Sequence, residues 1–221
     1  HWDGPGAPDI LSGPTLASTN ASWSPGLTNE WVWTFRFTNE TTGIFVAQGS
    51  AGTSNSTLSE SAVLKVLDQA DLWVRRTNDV AWKGNDNYTE VVLASQTREA
   101  AIQPTETAAF NVRVQNDGER ERELTVKAVA SGDPGWLATF KQGATDISAL
   151  ITGAGLNVGT LASGAYVDLT VTLRGTNALD SGCRREIVFT GQALGATNGS
   201  DVVKVAAEVL NEIIVNSTAD L

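Results

Sequence analysis

Apolar and polar residues alternate along two neighbouring stretches in the middle of the chain. In 108–114 (AAFNVRV) every second residue is apolar, and 124–128 (LTVKA) repeats the pattern. A period of two is typical of strands that bury one face. Between them lies Asn116-Asp117-Gly118, and Asp and Gly tolerate the backbone angles of tight turns. The pattern therefore predicts a β-hairpin over 103–130.

Similar stretches occur along most of the chain, and helical periodicity is nearly absent. One strand carries four aromatic residues on one face: Trp31, Trp33, Phe35 and Phe37. Further strands are predicted at 44–48, 62–67, 89–94, 108–115, 123–130, 138–142, 165–174, 185–193 and 201–215. The spacing in the second half is close to that of a seven-stranded sandwich. The predicted fold class is all-β, with two Ig-like antiparallel β-sandwich domains in tandem.

A short sequence pattern that occurs twice predicts where the second domain begins. Ala70-Asp71-Leu72-Trp73-Val74 repeats the pattern of Ala7-Pro8-Asp9-Ile10-Leu11, an acidic residue followed by a short apolar strand. We therefore predict an N-terminal β-sandwich domain at 1–69, which is short enough to be incomplete. An Ig-like domain at 70–210 and a C-terminal tail at 211–221 follow.

Several turn and core motifs resemble a known class of repeats. They are Phe110–Gly118, Pro134-Gly135-Trp136, Leu161-Ala162-Ser163-Gly164 and Asp180-Ser181-Gly182, with a fainter match at Pro8-Asp9-Ile10. From Asp71 to Val209 the chain resembles Ig-like repeats of prokaryotic cell-surface proteins, namely CARDB-like and glycosidase-associated Ig-like domains. The resemblance implies a spacer, an adhesive module or an enzyme appendage, and it says little about chemistry.

The composition disfavours two kinds of binding partner and bears on the location of the protein. The formal net charge is −10 and the isoelectric point is about 4.5, which disfavours nucleic acid and anionic lipid. No apolar run approaches the length of a membrane span, so we expect no membrane insertion. The chain starts at His1 and contains no Met, so we expect either a removed leader or a piece of a longer chain. A removed leader would place the mature protein outside the cytoplasm, and we predict an extracellular or cell-surface location.

Six Asn-x-Ser/Thr sequons support the same location. They are Asn20, Asn39, Asn55, Asn87, Asn198 and Asn216. In a secreted protein of a glycosylating organism these residues would carry glycans on exposed loops. The single cysteine, Cys183, cannot form a disulfide within the chain, and a buried apolar role or an intermolecular bridge remain open.

The residue inventory argues against catalysis. His1 could ligate copper through its amine and its imidazole, but the chain has no second histidine to complete a histidine brace. The same shortage excludes a Ser-His-Asp triad and a His-rich zinc site. We therefore predict that the protein is not an enzyme. The aromatics of 31–37 could be a core face, a sugar platform or a subunit interface.

Two charged segments have alternative interpretations. Asn85, Asp86 and Glu90 could ligate Ca²⁺, the one candidate cofactor, although Asx residues are also common turn formers. Glu119–Glu123 (ERERE) alternates in charge, which is typical of a solvated hairpin end that discourages edge pairing.

The C-terminal stretch is the strongest functional lead in the sequence. Residues 202–215 (VVKVAAEVLNEIIV) form a β-prone run longer than a typical strand, and the last strand of the domain should be complete near Val209. A sheet edge of another copy of the chain could then accept Ile213, Ile214 and Val215, or instead the N-terminal segment, giving a self-assembling, pilus-like surface filament. Alternatively the tail pairs within its own chain. The competing function is a carbohydrate-binding or spacer module of a larger surface protein or glycoside hydrolase.

Overall fold

The computed structural model describes residues 1–4, 8–12, 34–36, 41–48, 50–51, 54–55, 57–176, 179–196 and 199–210. The chain divides into two compact units, His1–Leu67 and Asp68–Leu221. The described residues form many strands, two short helical segments and several mostly antiparallel sheets, which confirms the all-β class.

The first unit contains eight short strands among its described residues. They are β1 (Trp2–Asp3), β2 (Asp9–Ser12), β3 (Thr34–Arg36), β4 (Thr41–Ala47), β5 (Ser50–Ala51), β6 (Ser54–Asn55), β7 (Ser59–Glu60) and β8 (Leu64–Val66). Strand β4 pairs with β1, β7 and β8, whereas β2 pairs with β3 and β5 with β6. That this unit is itself a complete or incomplete sandwich stays a prediction.

The second unit is a sandwich of two five-stranded sheets. Its strands are β9 (Ala70–Arg76), β10 (Thr97–Ile102), β11 (Thr107–Asn116), β12 (Arg122–Gly132), β13 (Trp136–Gln142), β14 (Thr145–Asp146), β15 (Leu156–Leu161), β16 (Tyr166–Gly175), β17 (Arg184–Ala193) and β18 (Asp201–Val209). The first sheet has the order β14-β13-β16-β11-β9 and the second β10-β18-β17-β12-β15. A 3₁₀ turn spans Ala94–Gln96 and helix α1 spans Ser148–Thr152.

Alternate residues of both sheets fill one core. Phe110, Phe140 and Phe189 are its largest buried side chains. The rings of Phe140, in the first sheet, and Phe189, in the second, meet edge to face with centroids 5.9 Å apart. Burying side chains of this kind is the main favourable contribution to the stability of the unit.

The predicted hairpin is wrong in its pairing, although both of its strands exist. Strand β11 pairs with β9 and β16, whereas β12 pairs with β15 and β17 in the opposite sheet. The intervening segment therefore crosses between the sheets. Asn116 is fully buried and directs the crossing: its Nδ2 donates to the carbonyls of Arg120 (2.7 Å) and Leu161 (2.8 Å), and its Oδ1 accepts from the Gly118 amide (3.1 Å).

The charged segment after this crossing also differs from the prediction. Only Arg122 and Glu123 of the ERERE run belong to a strand. Arg120 and Arg122 both reach the carboxylate of Asp68, which is almost fully buried. The two arginines thus neutralise a buried acid at the start of the unit and do not form a solvated hairpin end.

Several strand bounds differ from the sequence prediction. Residues 89–93 form no strand, and the nearby strand is β10, which runs parallel to β18. Strand β15 was not predicted. Strand β18 ends at Val209, where the last strand of the domain was expected to be complete. In the part of the chain that the structure describes, no helix is long and apolar enough to cross a membrane.

Candidate functional site

The outward face of the first sheet of the second unit carries a compact group of charged and aromatic side chains. In register across three strands lie Trp73 in β9, Arg113 in β11 and Asp168 in β16. Arg113 donates from Nε to Asp168 Oδ1 (2.8 Å) and from a terminal nitrogen to Oδ2 (2.9 Å). This two-point geometry fixes the plane of the guanidinium group.

Aromatic rings surround that guanidinium group. Its central carbon lies 3.5 Å from the ring centroid of Tyr166, 4.6 Å from that of Trp82 and 5.3 Å from that of Trp73. A second guanidinium group, of Arg75, lies 4.5 Å from the Trp82 ring. We call Trp73, Arg75, Trp82, Arg113, Tyr166 and Asp168 the aromatic–arginine face.

The loop after β9 brings Trp82 onto this face. The loop returns to the strand through two backbone bonds, from the Val74 amide to the Lys83 carbonyl (2.7 Å) and from the Lys83 amide to the Val74 carbonyl (2.9 Å). Gly84 follows with φ of +106°, and a Cβ there would lie 2.4 Å from the Leu72 carbonyl oxygen. A glycine is therefore required where the loop approaches β9.

The face is charged and partly open to solvent. Hydrogen bonding to Asp168 raises the pKa of Arg113 above its already high ordinary value, so the side chain stays cationic. Tyr166 is 51% exposed, and Trp73 and Trp82 are partly exposed. The arrangement offers ring surface for stacking beside fixed hydrogen-bonding groups, the combination typical of small-ligand and carbohydrate contacts.

An acidic cluster lies beside this face. Asp71, in β9, is fully buried; its Oδ2 accepts from the Trp73 indole and from the Asp86 amide (3.2 Å). Its Oδ1 has no hydrogen-bond partner among the described residues. Burial raises the pKa of Asp71 to about 6, hydrogen bonds from Trp73 and Asp86 oppose this, and the nearby charges of Asp117 and Asp86 add to it.

A second buried acid, Asp201, lies at the start of β18. It accepts from the Leu72 amide (2.7 Å) and from Gln96 Nε2 (2.8 Å). Burial raises the pKa of Asp201 to about 7 despite these bonds. The second unit therefore contains two buried carboxyl groups that titrate well above the usual range for aspartate.

The residues predicted to bind calcium take separate partners. Asp86 Oδ2 accepts from Asn85 Nδ2 (2.9 Å) and its Oδ1 from the Tyr88 hydroxyl (3.2 Å), whereas Glu90 accepts from the Ser200 hydroxyl (3.1 Å). Among the described residues, no group of three or more His, Cys, Asp or Glu side chains is placed to hold a metal ion. Calcium binding by these residues stays a prediction.

Most other predicted sites lie outside the described residues. These are the sequons at Asn20, Asn39, Asn198 and Asn216, the strand-exchange residues Ile213, Ile214 and Val215, and the aromatics Trp31, Trp33 and Phe37. Of the two remaining sequons, Asn55 ends β6, and Asn87 is partly buried, with its carbonyl accepting from Gln96 (2.7 Å).

The aromatic run and the N-terminus are described in part. Phe35 is partly buried in β3, and its ring centroid lies 4.4 Å from that of Phe45. The N-terminal amine of His1 donates to the Val46 carbonyl (2.6 Å).

The aromatic–arginine face is not among the sites predicted from the sequence. A signal was nonetheless present, because Trp73, Arg113 and Tyr166 occupy outward positions of strands whose alternate residues are apolar. Only the pairing of β9, β11 and β16 reveals that these positions are neighbours.

Comparison with known proteins gives the chain no family. No family model and no curated protein matches it. Among solved structures, it is similar to a FixG-related protein from Vibrio parahaemolyticus, with 13% identity over 65% of this chain and 98% of that one and a TM-score of 0.35. It is also similar to the N-terminal domain of PorA, with 13% identity over 62% and 96% and a TM-score of 0.38.

A third similar structure is a family 123 glycoside hydrolase from Clostridium perfringens. The identity is 9% and the TM-score 0.37, and the match covers 53% of this chain but 23% of that one. Likenesses at these TM-scores assign no function to this chain. Membership in the Ig-like surface repeats stays a prediction.

Proposed function

We propose that this protein is an extracellular β-sandwich module that binds carbohydrate through its aromatic–arginine face. The observation that carries the proposal is the stacking of Arg113 against Tyr166, Trp82 and Trp73 while Asp168 fixes its orientation. Trp, Tyr and Arg are the residue types that dominate binding surfaces. Because they are held in place before a ligand arrives, little side-chain entropy is lost on binding.

The chemistry of the face suits a sugar. The apolar face of a pyranose ring packs on an aromatic ring, and its hydroxyl groups pair with fixed polar groups. Gln115 and Asn111 lie on the outward side of β11, on either side of Arg113, and Thr170 lies opposite Asn111 on β16. These side chains supply donors and acceptors beside the rings.

The test is a glycan array followed by calorimetry of the glycans that bind. We expect Tyr166→Ala and Trp82→Ala each to weaken binding by about tenfold or more, as is common for central aromatic contacts. Val129→Ala is the matched control, because Val129 is a similarly exposed side chain (58%) on the other sheet. Tyr166→Ala removes a half-exposed ring, so it tests the face even if Trp82→Ala unfolds the loop.

Two outcomes contradict the proposal. One is the absence of any bound glycan on the array for the folded protein. The other is binding that survives both aromatic substitutions with unchanged affinity. A thermal melt of each variant shows whether it is folded, so that its affinity can be compared with that of wild type.

Self-assembly into a filament is a second proposal that concerns the residues after Leu210. Strand β18 is paired on both sides, with β10 as far as Val209 and with β17 as far as Glu208. Any strand given to a neighbouring copy would therefore have to come from another segment, such as 211–221. Negative-stain microscopy of the protein with and without these residues tests the proposal, and monodisperse monomers from both would contradict it.

Calcium is the one cofactor that we propose to test. Asp86 belongs to the predicted loop site, and its backbone amide donates to Asp71 Oδ2 (3.2 Å). Asp117 adds a further carboxylate charge near Asp71. A rise in melting temperature on adding Ca²⁺ but not Mg²⁺, lost in Asp86→Asn, is the expected result if the loop binds calcium. An unchanged melting temperature would contradict it.

A further inference from the structure

A cleft of about 700 Å³ opens beside the end of β9 in the second unit. Its walls come from β9, the following loop, the segment before β10, β10 itself and β18. Six charged side chains line it: Arg76, Lys83, Arg98, Lys204, Asp79 and Glu99. Four of the fifteen basic residues of a chain with net charge −10 therefore gather in one cleft.

The two acids of the cleft already have cationic partners. Asp79 lies 3.4 Å from Arg98 Nε, and Arg98 also donates to the Ala81 carbonyl (3.0 Å). Glu99 pairs with Arg184, which is not part of the lining. Asp79 Oδ2 also accepts from the backbone amide of Arg76 (3.4 Å). Neither carboxylate forms an ion pair with the side chain of Arg76 or Lys83.

The basic side chains divide into paired and unpaired ones. Lys204 pairs with Glu186 on β17, at 3.1 Å. Lys83 Nζ has only a neutral partner, the Ala94 carbonyl at 3.3 Å. The Arg76 guanidinium has no hydrogen bond or ion pair to any residue that the structure describes, and the side chain is exposed. Two uncompensated positive charges thus face the same cleft.

We infer that this cleft binds a small ligand carrying an oxyanion group, a carboxylate, sulfate or phosphate, through Arg76 and Lys83. A cleft with protein walls concentrates the field of such charges, and its volume lies in the range of small-molecule sites. Arginine and lysine donate strong, charge-assisted hydrogen bonds to oxyanions. Val92 and Leu93 in the wall would pack against the less polar part of the ligand.

The cleft is distinct from the aromatic–arginine face. The loop after β9 contributes Trp82 to that face and Lys83 to the cleft. None of the six residues of the face lines the cleft. The inference is therefore independent of the proposed carbohydrate binding, and either can fail alone.

The experiment is an NMR titration of the ¹⁵N-labelled protein at low ionic strength with sulfate, phosphate and D-glucuronate, each used separately. D-Glucose is the neutral control. We expect at least one anion to shift the amides that line the cleft, and added NaCl to weaken that binding because salt screens exposed charges. The anion that binds best identifies the oxyanion class, and glucose leaves these amides unshifted.

Two matched double variants locate the binding site. Arg76→Gln with Lys83→Gln should weaken anion binding by about tenfold or more, as expected for losing two charge-assisted contacts. Lys127→Gln with Lys141→Gln removes the same total charge from exposed positions outside the cleft, and should change the affinity by less than about twofold. Melting temperatures confirm that both variants are folded.

Three results would overturn the inference. They are an absence of shifts in the cleft with all three anions, equal weakening by both double variants, and shifts that follow glucose as well as the anions. Equal weakening would mean that net charge alone attracts the anion.

Discussion

The buried carboxylate of Asp68 provides the sharpest test of how the second unit is held together. Asp68 is 4% exposed. Arg120 donates to its two oxygens at 2.8 and 2.9 Å, and Arg122 lies 2.7 Å from Oδ2. We predict that Asp68→Asn, which keeps the shape but removes the charge, destabilises the unit, because both arginines lose their anionic partner.

The size of the effect follows from burial. Removing one partner of a fully buried ion pair costs about 3–5 kcal/mol. The side chains of Arg120 and Arg122 are 18% and 31% exposed, so water partly solvates the stranded guanidinium groups. We therefore expect a loss of about 2–3 kcal/mol in the free energy of unfolding at pH 7.

The contacts of Asp68 with the two arginines also make the stability of the unit depend on pH. Burial alone raises the pKa of Asp68, but the hydrogen bonds from Arg122 and Arg120 and their charges outweigh it, so the net pKa lies below the ordinary 3.8. A carboxylate with a lowered folded-state pKa stabilises the fold above its unfolded pKa, and the contribution is lost as pH falls through the folded pKa. The difference between wild type and Asp68→Asn should therefore shrink below about pH 4.

Urea unfolding followed by tryptophan fluorescence, at pH 7 and at pH 3, measures both quantities. Asp168→Asn is the matched control, since Asp168 also makes a two-point pair with arginine but its side chain is 43% exposed. We expect this control to cost no more than about 1 kcal/mol. The reasoning is refuted if Asp68→Asn costs no more than the control, or if its cost is the same at both pH values.

Three further predictions concern other buried groups. Asn116→Ala should lower the free energy of unfolding by about 2 kcal/mol, because two backbone carbonyls lose their donor; a cost in urea no larger than that of the outward-facing Asn111→Ala would contradict this. The raised pKa of Asp71, about 6, means that its contribution to stability is fully present below pH 3.8 and is lost as pH rises through 6. At pH 8 the free energy of unfolding of Asp71→Asn should therefore exceed that of wild type by up to about 3 kcal/mol, and its melting temperature should be higher. Equal melting temperatures of the two proteins at pH 8 would contradict this prediction. Gly191→Ala would place a Cβ 2.8 Å from Leu72 Cδ2. The resulting overpacking should lower the free energy of unfolding by about 1–3 kcal/mol. An unchanged melting temperature in calorimetry would contradict this, because it would mean that the core accommodates the extra methyl group.

Local alternation was enough to locate most strands of the second unit and their buried faces. Strands β11, β12, β16 and β17 all overlap segments predicted as strands. Phe110, Val112 and Leu124 are fully buried, as their positions in the pattern require. This succeeds because a strand with one buried face imposes a period of two on its own sequence. No knowledge of its neighbours is needed.

Pairing could not be obtained in the same way. The alternation in β11 and β12 is what a hairpin would show, yet the strands belong to opposite sheets. Both arrangements bury the same residues, because two strands facing each other across a core and two strands side by side each present one apolar face. The Asn116 side chain holds the crossing segment through a local bond to the Arg120 carbonyl and a long-range bond to the Leu161 carbonyl. The long-range bond exists only in the folded chain.

The missed strand β10 has a related cause. Its sequence, Thr97–Ile102 (TREAAI), lacks the β-branched alternation that marks its neighbours. It becomes a strand by pairing in parallel with β18, over six registered residues. Propensity in a short segment is weak compared with the hydrogen bonds and burial that a neighbouring strand supplies.

The all-β class, the inward faces of the main strands and the acidic character of the chain could be predicted from the sequence, because each depends on local pattern or composition. Which strands share a sheet, the pairing of Asp68 with two arginines, and the meeting of Trp73, Trp82, Arg113 and Tyr166 on one surface emerge only in the folded chain. These features join residues far apart in the chain. Their contacts arise from strand register, and register is fixed only when both sheets bury their faces in a common core.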